Sequence, residues 1–152
     1  MRFPRGDGDG WTRCARGHTH WGVFGAAGLL LWHDGAVLLQ HRAEWSHHGG
    51  TWGIPGGARM PDESAADAAL REAAEEAGID RANVRIRGER VLTHPDWSYT
   101  TVLADELFPV DPAVTDAESI ELRWVPVDEV ATLPLLPAFG DAWPSLRDQL
   151  DP

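Results

Sequence analysis

At 152 residues, 43% hydrophobic and 24% charged, the chain has the size and composition of one ordinary globular domain, and whole-chain disorder is excluded. No apolar run approaches the ~18–20 residues that span a bilayer. A formal net charge of −11 argues against a nucleic-acid polymer or an anionic membrane as partner, since either would require a basic face. An acidic site still holds a small polyphosphate if a divalent cation sits between them.

Residues 1–20 read as an N-terminal arm whose first part, Met1–Gly10, is polar, Gly-rich and mobile and does not resemble a signal peptide. Residues 21–152 read as a single domain. Cys14 is the one cysteine, so an intramolecular disulfide is excluded and a cytoplasmic setting is the default expectation. With His18 and His20 it offers three metal ligands where a zinc site normally wants four.

Gly22–Trp32 and Ala36–Arg42 are apolar runs joined by the turn residues His33-Asp34-Gly35, which predicts strand, turn, strand. Trp45–Gly50 is a polar loop. Thr51–Ile54 is a short strand candidate closed by Pro55-Gly56-Gly57. Ser64–Ala77 has a helical composition, and Gly78 stands where a C′ residue belongs. Val84–Thr93 and Trp97–Phe108 are two further strands, separated by His94-Pro95-Asp96. Ile120–Val125 is another strand, Asp128–Thr132 a helical turn, and Phe139–Leu150 a closing helix with Pro144 in its first turns. Strands dominate, with one or two helices packed on them, so the class is α+β.

Ser64 and Asp67 have the spacing of a capping box. At roughly 100° per residue, Ala66, Leu70, Ala73 and Ala77 form one stripe, while Glu72, Glu75 and Glu76 gather on nearly the opposite side. Three carboxylates so placed repel one another and oppose the helix dipole. Hard divalent cations, Mg²⁺ or Mn²⁺, would remove both penalties. Spacing alone equally permits a solvated acidic face with Arg71 pairing to Glu75.

From Gly57 the chain reads GARMPDESAADAALREAAEEAGI, which resembles the signature of the Nudix hydrolases, G-x5-E-x7-R-E-U-x-E-E-x-G-U with U aliphatic. Gly57, Glu63, Arg71, Glu72, Glu75, Glu76, Gly78 and Ile79 fall at its fixed places. Ala73, where the family usually carries a bulkier aliphatic residue, is the one departure, and it lies on the apolar stripe. The likeness extends from about Gly22 to Val130 and includes Trp52–Gly57. It implies an α/β/α sandwich with a mixed β-sheet. It also implies one to three Mg²⁺ ions on Glu72, Glu75, Glu76 and the Gly56 carbonyl, with Glu63 and Arg71 as supports.

The reaction this implies is attack of water on a phosphorus of a diphosphate linkage. Glu75 or Glu118 is the proton acceptor, with Glu121 a lesser substitute. Arg42 aligns with a phosphate-contacting position of some relatives, and Arg59 is a weaker candidate for the same task. Trp97 and Tyr99, with Trp45 and Trp52 nearby, offer aromatic faces to a base; for Trp52 a core role is the stronger reading. The substrate class this implies is a small nucleotide: a nucleoside triphosphate or other nucleoside diphosphate derivative, oxidised deoxynucleoside triphosphates among them, with ADP-ribose or a dinucleoside polyphosphate as the alternative. A nucleotide-sensing module without turnover would have lost acids from the signature, and none is lost here. An isomerase on the same fold would require a core cysteine, whereas Cys14 is in the arm. The sequence admits a monomer or a homodimer.

Overall fold

The structure, a computed structural model, describes residues 11–13, 19–21, 25–46, 48–94, 97–114 and 119–150. β1 (Trp11–Arg13) and β2 (Thr19–Trp21) form a two-stranded antiparallel sheet that runs from the stretch expected as an arm into the first residue of the expected domain; Cys14 and His18 lie outside the described residues. The remaining strands are β3 (Ala26–His33), β4 (Ala36–Arg42), β5 (Trp52–Gly53), β6 (Gly56–Ala58), β7 (Val84–His94), β8 (Trp97–Glu106) and β9 (Ser119–Pro126). They form one seven-stranded sheet with the order β5-β4-β3-β8-β7, in which β6 also pairs with β3, and β9 with β4. The β3–β8 pair is parallel and the other pairs are antiparallel, so the sheet is mixed as expected.

Alternation along the central strands gives the sheet two apolar faces. Leu29, Leu31, Leu38, Val102 and Ala104 point to one face, where α1 (Ala65–Ala77) covers them through Ala69, Leu70 and Ala73. Leu30, Val37, Leu39, Leu103 and Val125 point to the other, covered by Phe139, Trp143, Leu146 and Leu150 of α2 (Pro137–Leu150). Two helices on opposite faces of a mixed sheet make the α/β/α sandwich. Pro144 falls inside α2 rather than in its first turns, because the helix begins two residues before Phe139.

The ends of α1 follow the sequence closely. The Asp67 amide donates to the Ser64 hydroxyl at 3.0 Å, while the Asp67 carboxylate is engaged by Arg81 at 3.2 Å. Gly78 closes the helix at φ 66°, and its amide donates to the carbonyls of Ala73 and Ala74.

The β3–β4 hairpin opens as it leaves its turn. The two strands pair only at Trp32↔Val37 and His33↔Ala36. Farther along, β6 pairs with β3 from Gly28↔Gly56 to Ala26↔Ala58, and β5 pairs with β4 at Gln40↔Gly53 and His41↔Trp52. The segment from Trp52 to Ala58 thus fills a wedge between the two strands, where the sequence predicted a closing turn at Pro55-Gly56-Gly57. Glycine signals a break locally, but here its missing side chain permits the pairing. A Cβ on Gly56 would stand 2.6 Å from the Ala27 carbonyl oxygen and 2.7 Å from the Gly28 Cα. Both contacts are backbone, so Gly56→Ala is expected to destabilise the fold by about 1–3 kcal/mol in urea denaturation; an unchanged midpoint would contradict this close approach.

Candidate active site

The packed face of α1 is wider than the alanine stripe implies. Its buried residues are Ala68, Ala69, Leu70, Glu72, Ala73, Glu76 and Ala77, an arc of about 200° at roughly 100° per residue. Glu76 falls near the middle of that arc and Glu72 toward one side of it, exposed by 1% and 0%. The expectation of a single carboxylate patch away from the packing face is therefore corrected: two of the three acids point into the protein, and Glu75 alone stays exposed. A solvated acidic face is excluded for Glu72 and Glu76.

Both buried acids pack where β6 enters the wedge. A Cβ on Gly57 would stand 2.7 Å from the Glu72 carboxyl carbon, so the glycine leaves room for that carboxylate. Glu76 Oε2 accepts from the Gly56 amide at 3.1 Å and from Gln40 Nε2 at 3.0 Å. Gln40 Nε2 also lies 2.7 Å from the Ser119 hydroxyl. Glu76 therefore ties the two lips of the wedge, β6 and β4, to the helix.

Arg71 organises the other side. Its Nε and Nη2 grip Glu63 as a fork, each at 2.8 Å. Nη2 also donates to the Ala58 carbonyl at 2.9 Å, and Nη1 to Glu72 at 3.0 Å and Glu75 at 3.4 Å. The Arg71 fork holds the Glu63 carboxyl below the usual carboxylate range, against the opposing effect of burial. The same pairing pushes the Arg71 guanidinium above its ordinary value. Met60 donates its amide to Glu63 at 3.1 Å, and Arg59 donates to the Glu63 main-chain carbonyl at 3.3 and 3.0 Å. Arg59 thus braces the loop before α1.

Arg42 ends β4, and its backbone closes the 43–50 loop: its amide donates to Thr51 and its carbonyl accepts from Gly50. Tyr99 is half-buried, and its hydroxyl lies where a Cβ on Gly28 would stand. Burial, and then the Glu76 carboxylate, push the phenol up, while the Arg42 guanidinium pulls it down. Trp97 begins β8. Trp45 is 60% exposed, whereas Trp52 is buried, stacked on His41 at 4.5 Å with the Arg123 guanidinium 4.7 Å from its ring centre. Trp52 is core, as read. Glu121, pairing with Arg123 at 3.1 Å, is engaged at the surface. Glu118 lies outside the described residues.

Two residues of the site were not foreseen. Gln40 carries one legible signal, a polar residue ending the apolar run Val37–Leu39. Ser119 carries none, because its placement depends on a register shift between β4 and β9.

The donor set fits a hard cation. Glu72, Glu75, Glu76 and the Gly56 carbonyl are all oxygen ligands, and two of the acids are already withdrawn from water beside glycines. Among the described residues, no group of three His, Cys, Asp or Glu side chains forms a ready-made metal cluster. Arg71 draws Glu72 and Glu75 one way, and Gln40 with Gly56 draws Glu76 the other.

The NUDIX domain profile matches residues 23–148. The chain belongs to the Nudix family. It is 51% identical over 94% of its length, and over 70% of the relative's, to a Mycobacterium tuberculosis protein named "Putative 8-oxo-dGTP diphosphatase 3". A Nudix hydrolase from M. smegmatis, RenU, superposes with a TM-score of 0.86 at 44% identity, covering 94% of this chain and 95% of that one. The MutT protein of Methanosarcina mazei Go1 superposes at 0.66, with 26% identity over 85% and 96% of the two chains. The chain is accordingly a Nudix pyrophosphohydrolase, acting on acid anhydrides of small nucleotides. Among its described residues, no helix is long and apolar enough to cross a membrane.

The Glu63 clamp makes a pH-dependent contribution to stability. Its folded-state pKa lies below its unfolded one, so the contribution is full above the unfolded pKa and is lost as pH falls through the folded pKa. Glu63→Gln is expected to lower unfolding free energy by about 1–2 kcal/mol near neutral pH. The gap to the parent should narrow as pH falls below the unfolded-state pKa and close as it falls through the folded one. Urea denaturation across that range checks this, and a gap that stays constant with pH would contradict the assignment.

Proposed function

We propose that this Nudix hydrolase cleaves oxidised deoxynucleoside triphosphates of the 8-oxo-dGTP kind to the monophosphate and pyrophosphate, with Mg²⁺ or Mn²⁺ held by Glu72, Glu75, Glu76 and the Gly56 carbonyl. The observation that carries the cation site is the meeting of the Glu72 and Glu76 carboxylates with the Gly56–Gly57 backbone at one buried place, an all-oxygen donor set suited to a hard cation. The substrate reading is supported by the 51% identity to the mycobacterial relative and that relative's name.

A divalent cation so held supplies neutralisation of phosphate charge and a lowered pKa for water. The chain's own residues do the rest. Arg71 and Glu63 keep the loop of Gly57–Glu63 folded against α1, which fixes where Glu72 and Glu75 stand. Arg42, at the end of β4, forks onto a phosphate oxygen. Tyr99, and Trp97 two residues earlier on β8, bear on the base, where an aromatic face contributes about 1–3 kcal/mol. Glu75 or Glu118 takes the proton from the attacking water.

The test is a substrate panel with 8-oxo-dGTP, dGTP, ADP-ribose and a dinucleoside tetraphosphate, each with and without Mg²⁺ or Mn²⁺. The expected result is cation-dependent turnover with the highest kcat/KM on 8-oxo-dGTP. A higher value on ADP-ribose or the dinucleotide would overturn the substrate reading, and absence of cation-dependent cleavage would overturn the cation site. Glu72→Gln and Glu76→Gln are each expected to lower kcat/KM by at least about 100-fold. Of Glu75→Gln and Glu118→Gln, the variant lacking the proton acceptor should lose about 100- to 10,000-fold in kcat.

A further inference from the structure

Gln40 follows directly on an apolar run of β4 and is buried as deeply as that run. Val37, Leu38 and Leu39 are buried at 0–1%, and Gln40 itself is 1% exposed. Its Nε2 faces two oxygens at once, Glu76 Oε2 at 3.0 Å and the Ser119 hydroxyl at 2.7 Å. Its Oε1 is buried with no hydrogen-bond partner among the described residues. An amide buried with one end doubly engaged and the other unmet is poor material for a strand interior, where leucine would carry no such desolvation cost. Stability therefore does not account for a glutamine here; the engaged end does.

That end joins three elements. Glu76 belongs to α1, Gln40 to β4, and Ser119 opens β9. The β4–β9 register shifts between His41 and Arg42, so that Arg42 pairs with Ser119 where regular pairing would bring Ile120. Ser119 is left 8% exposed while Ile120 is 49% exposed. A bulge of this kind re-aims a side chain, and here it brings Ser119 to Gln40.

We infer that Gln40 is a positioning residue for the proposed cation site: its amide holds the Glu76 carboxylate between the Gly56 amide and the bulged start of β9. This rests on Glu76 being a cation ligand. An acid presenting a fixed oxygen to two donors has one rotamer, and groups of this kind orient metal-binding carboxylates and raise cation affinity. Ser119 acts one step further out, fixing the amide that fixes the acid.

The test uses the whole chain and reads binding apart from turnover. Mn²⁺ affinity is measured by calorimetry without nucleotide, alongside kcat and KM on the best nucleotide of the panel and a thermal melt. For Gln40→Leu, the expected result is Mn²⁺ binding weakened about tenfold or more and kcat reduced by a similar factor, with KM within about twofold of the parent. Ser119→Ala, which leaves Gln40 on Glu76, should move the same two quantities by about threefold. A cooperatively melting Gln40→Leu with parental Mn²⁺ affinity and kcat would overturn the inference. If Gln40→Leu does not melt cooperatively, Ser119→Ala decides: weakened Mn²⁺ binding supports the inference and unchanged binding overturns it. A parent that neither binds Mn²⁺ nor cleaves any nucleotide diphosphate defeats the cation site itself, whereas a competent parent matched by both variants defeats only the role of Gln40.

Discussion

The structure is organised around two glutamates that lie where an amphipathic helix would ordinarily place aliphatic residues. Glu72 and Glu76 both lie inside the buried arc of α1, and each must keep its carboxylate satisfied with little access to water. An ionised carboxylate withdrawn from solvent costs several kcal/mol unless donors or counter-charges replace the lost hydration. The surrounding chain supplies them: the Arg71 guanidinium to Glu72, and the Gly56 amide with the Gln40 amide to Glu76.

Those requirements explain features that otherwise look unrelated. The β3–β4 hairpin opens so that the 52–58 segment can enter between its strands, and this brings two consecutive glycines under the middle of α1. Any side chain on Gly57 would collide with the Glu72 carboxyl, and any on Gly56 with the backbone of β3. The alanines of α1 are the complement of this arrangement. Small residues at Ala69 and Ala73 let the helix axis approach the sheet closely enough for a glutamate on one turn to reach the backbone of β6. Arg71 reaches both Ala58 at the end of β6 and Glu63 in the loop, so the wedge, the loop and the helix are fastened by one side chain.

Much of this was legible in the sequence. Ser64 and Gly78 mark the ends of α1 because capping is a local property of the chain, and β4 runs over its expected residues because its apolar run is bounded by turn residues. The motif from Gly57 to Ile79 carried the resemblance that pointed to the family. The direction in which the acids point was not legible: an alanine-rich helix has a weak apolar stripe, and nothing local shows that the sheet beneath it contains a glycine gap able to receive carboxylates. β6 was hidden for the same reason, since glycine reads as a break until a partner strand is known. Gln40 and Ser119 meet through a register shift between strands 79 positions apart, which no local pattern encodes.

The division between legible and hidden parts also bears on specificity. Two of the proposed cation ligands, Glu72 and Glu76, are buried and engaged by Arg71, Gln40 and the Gly56 amide, so a change at one of these groups disturbs the others. The groups proposed to meet the nucleotide lie toward strand ends: Arg42 at the last residue of β4, and Trp97 and Tyr99 at the start of β8. Such positions tolerate variation because little of the core depends on them. Selectivity among nucleotides can thus diverge at the rim while the helix and wedge stay constant. A shared signature therefore specifies the bond that is cut far better than the molecule that contains it.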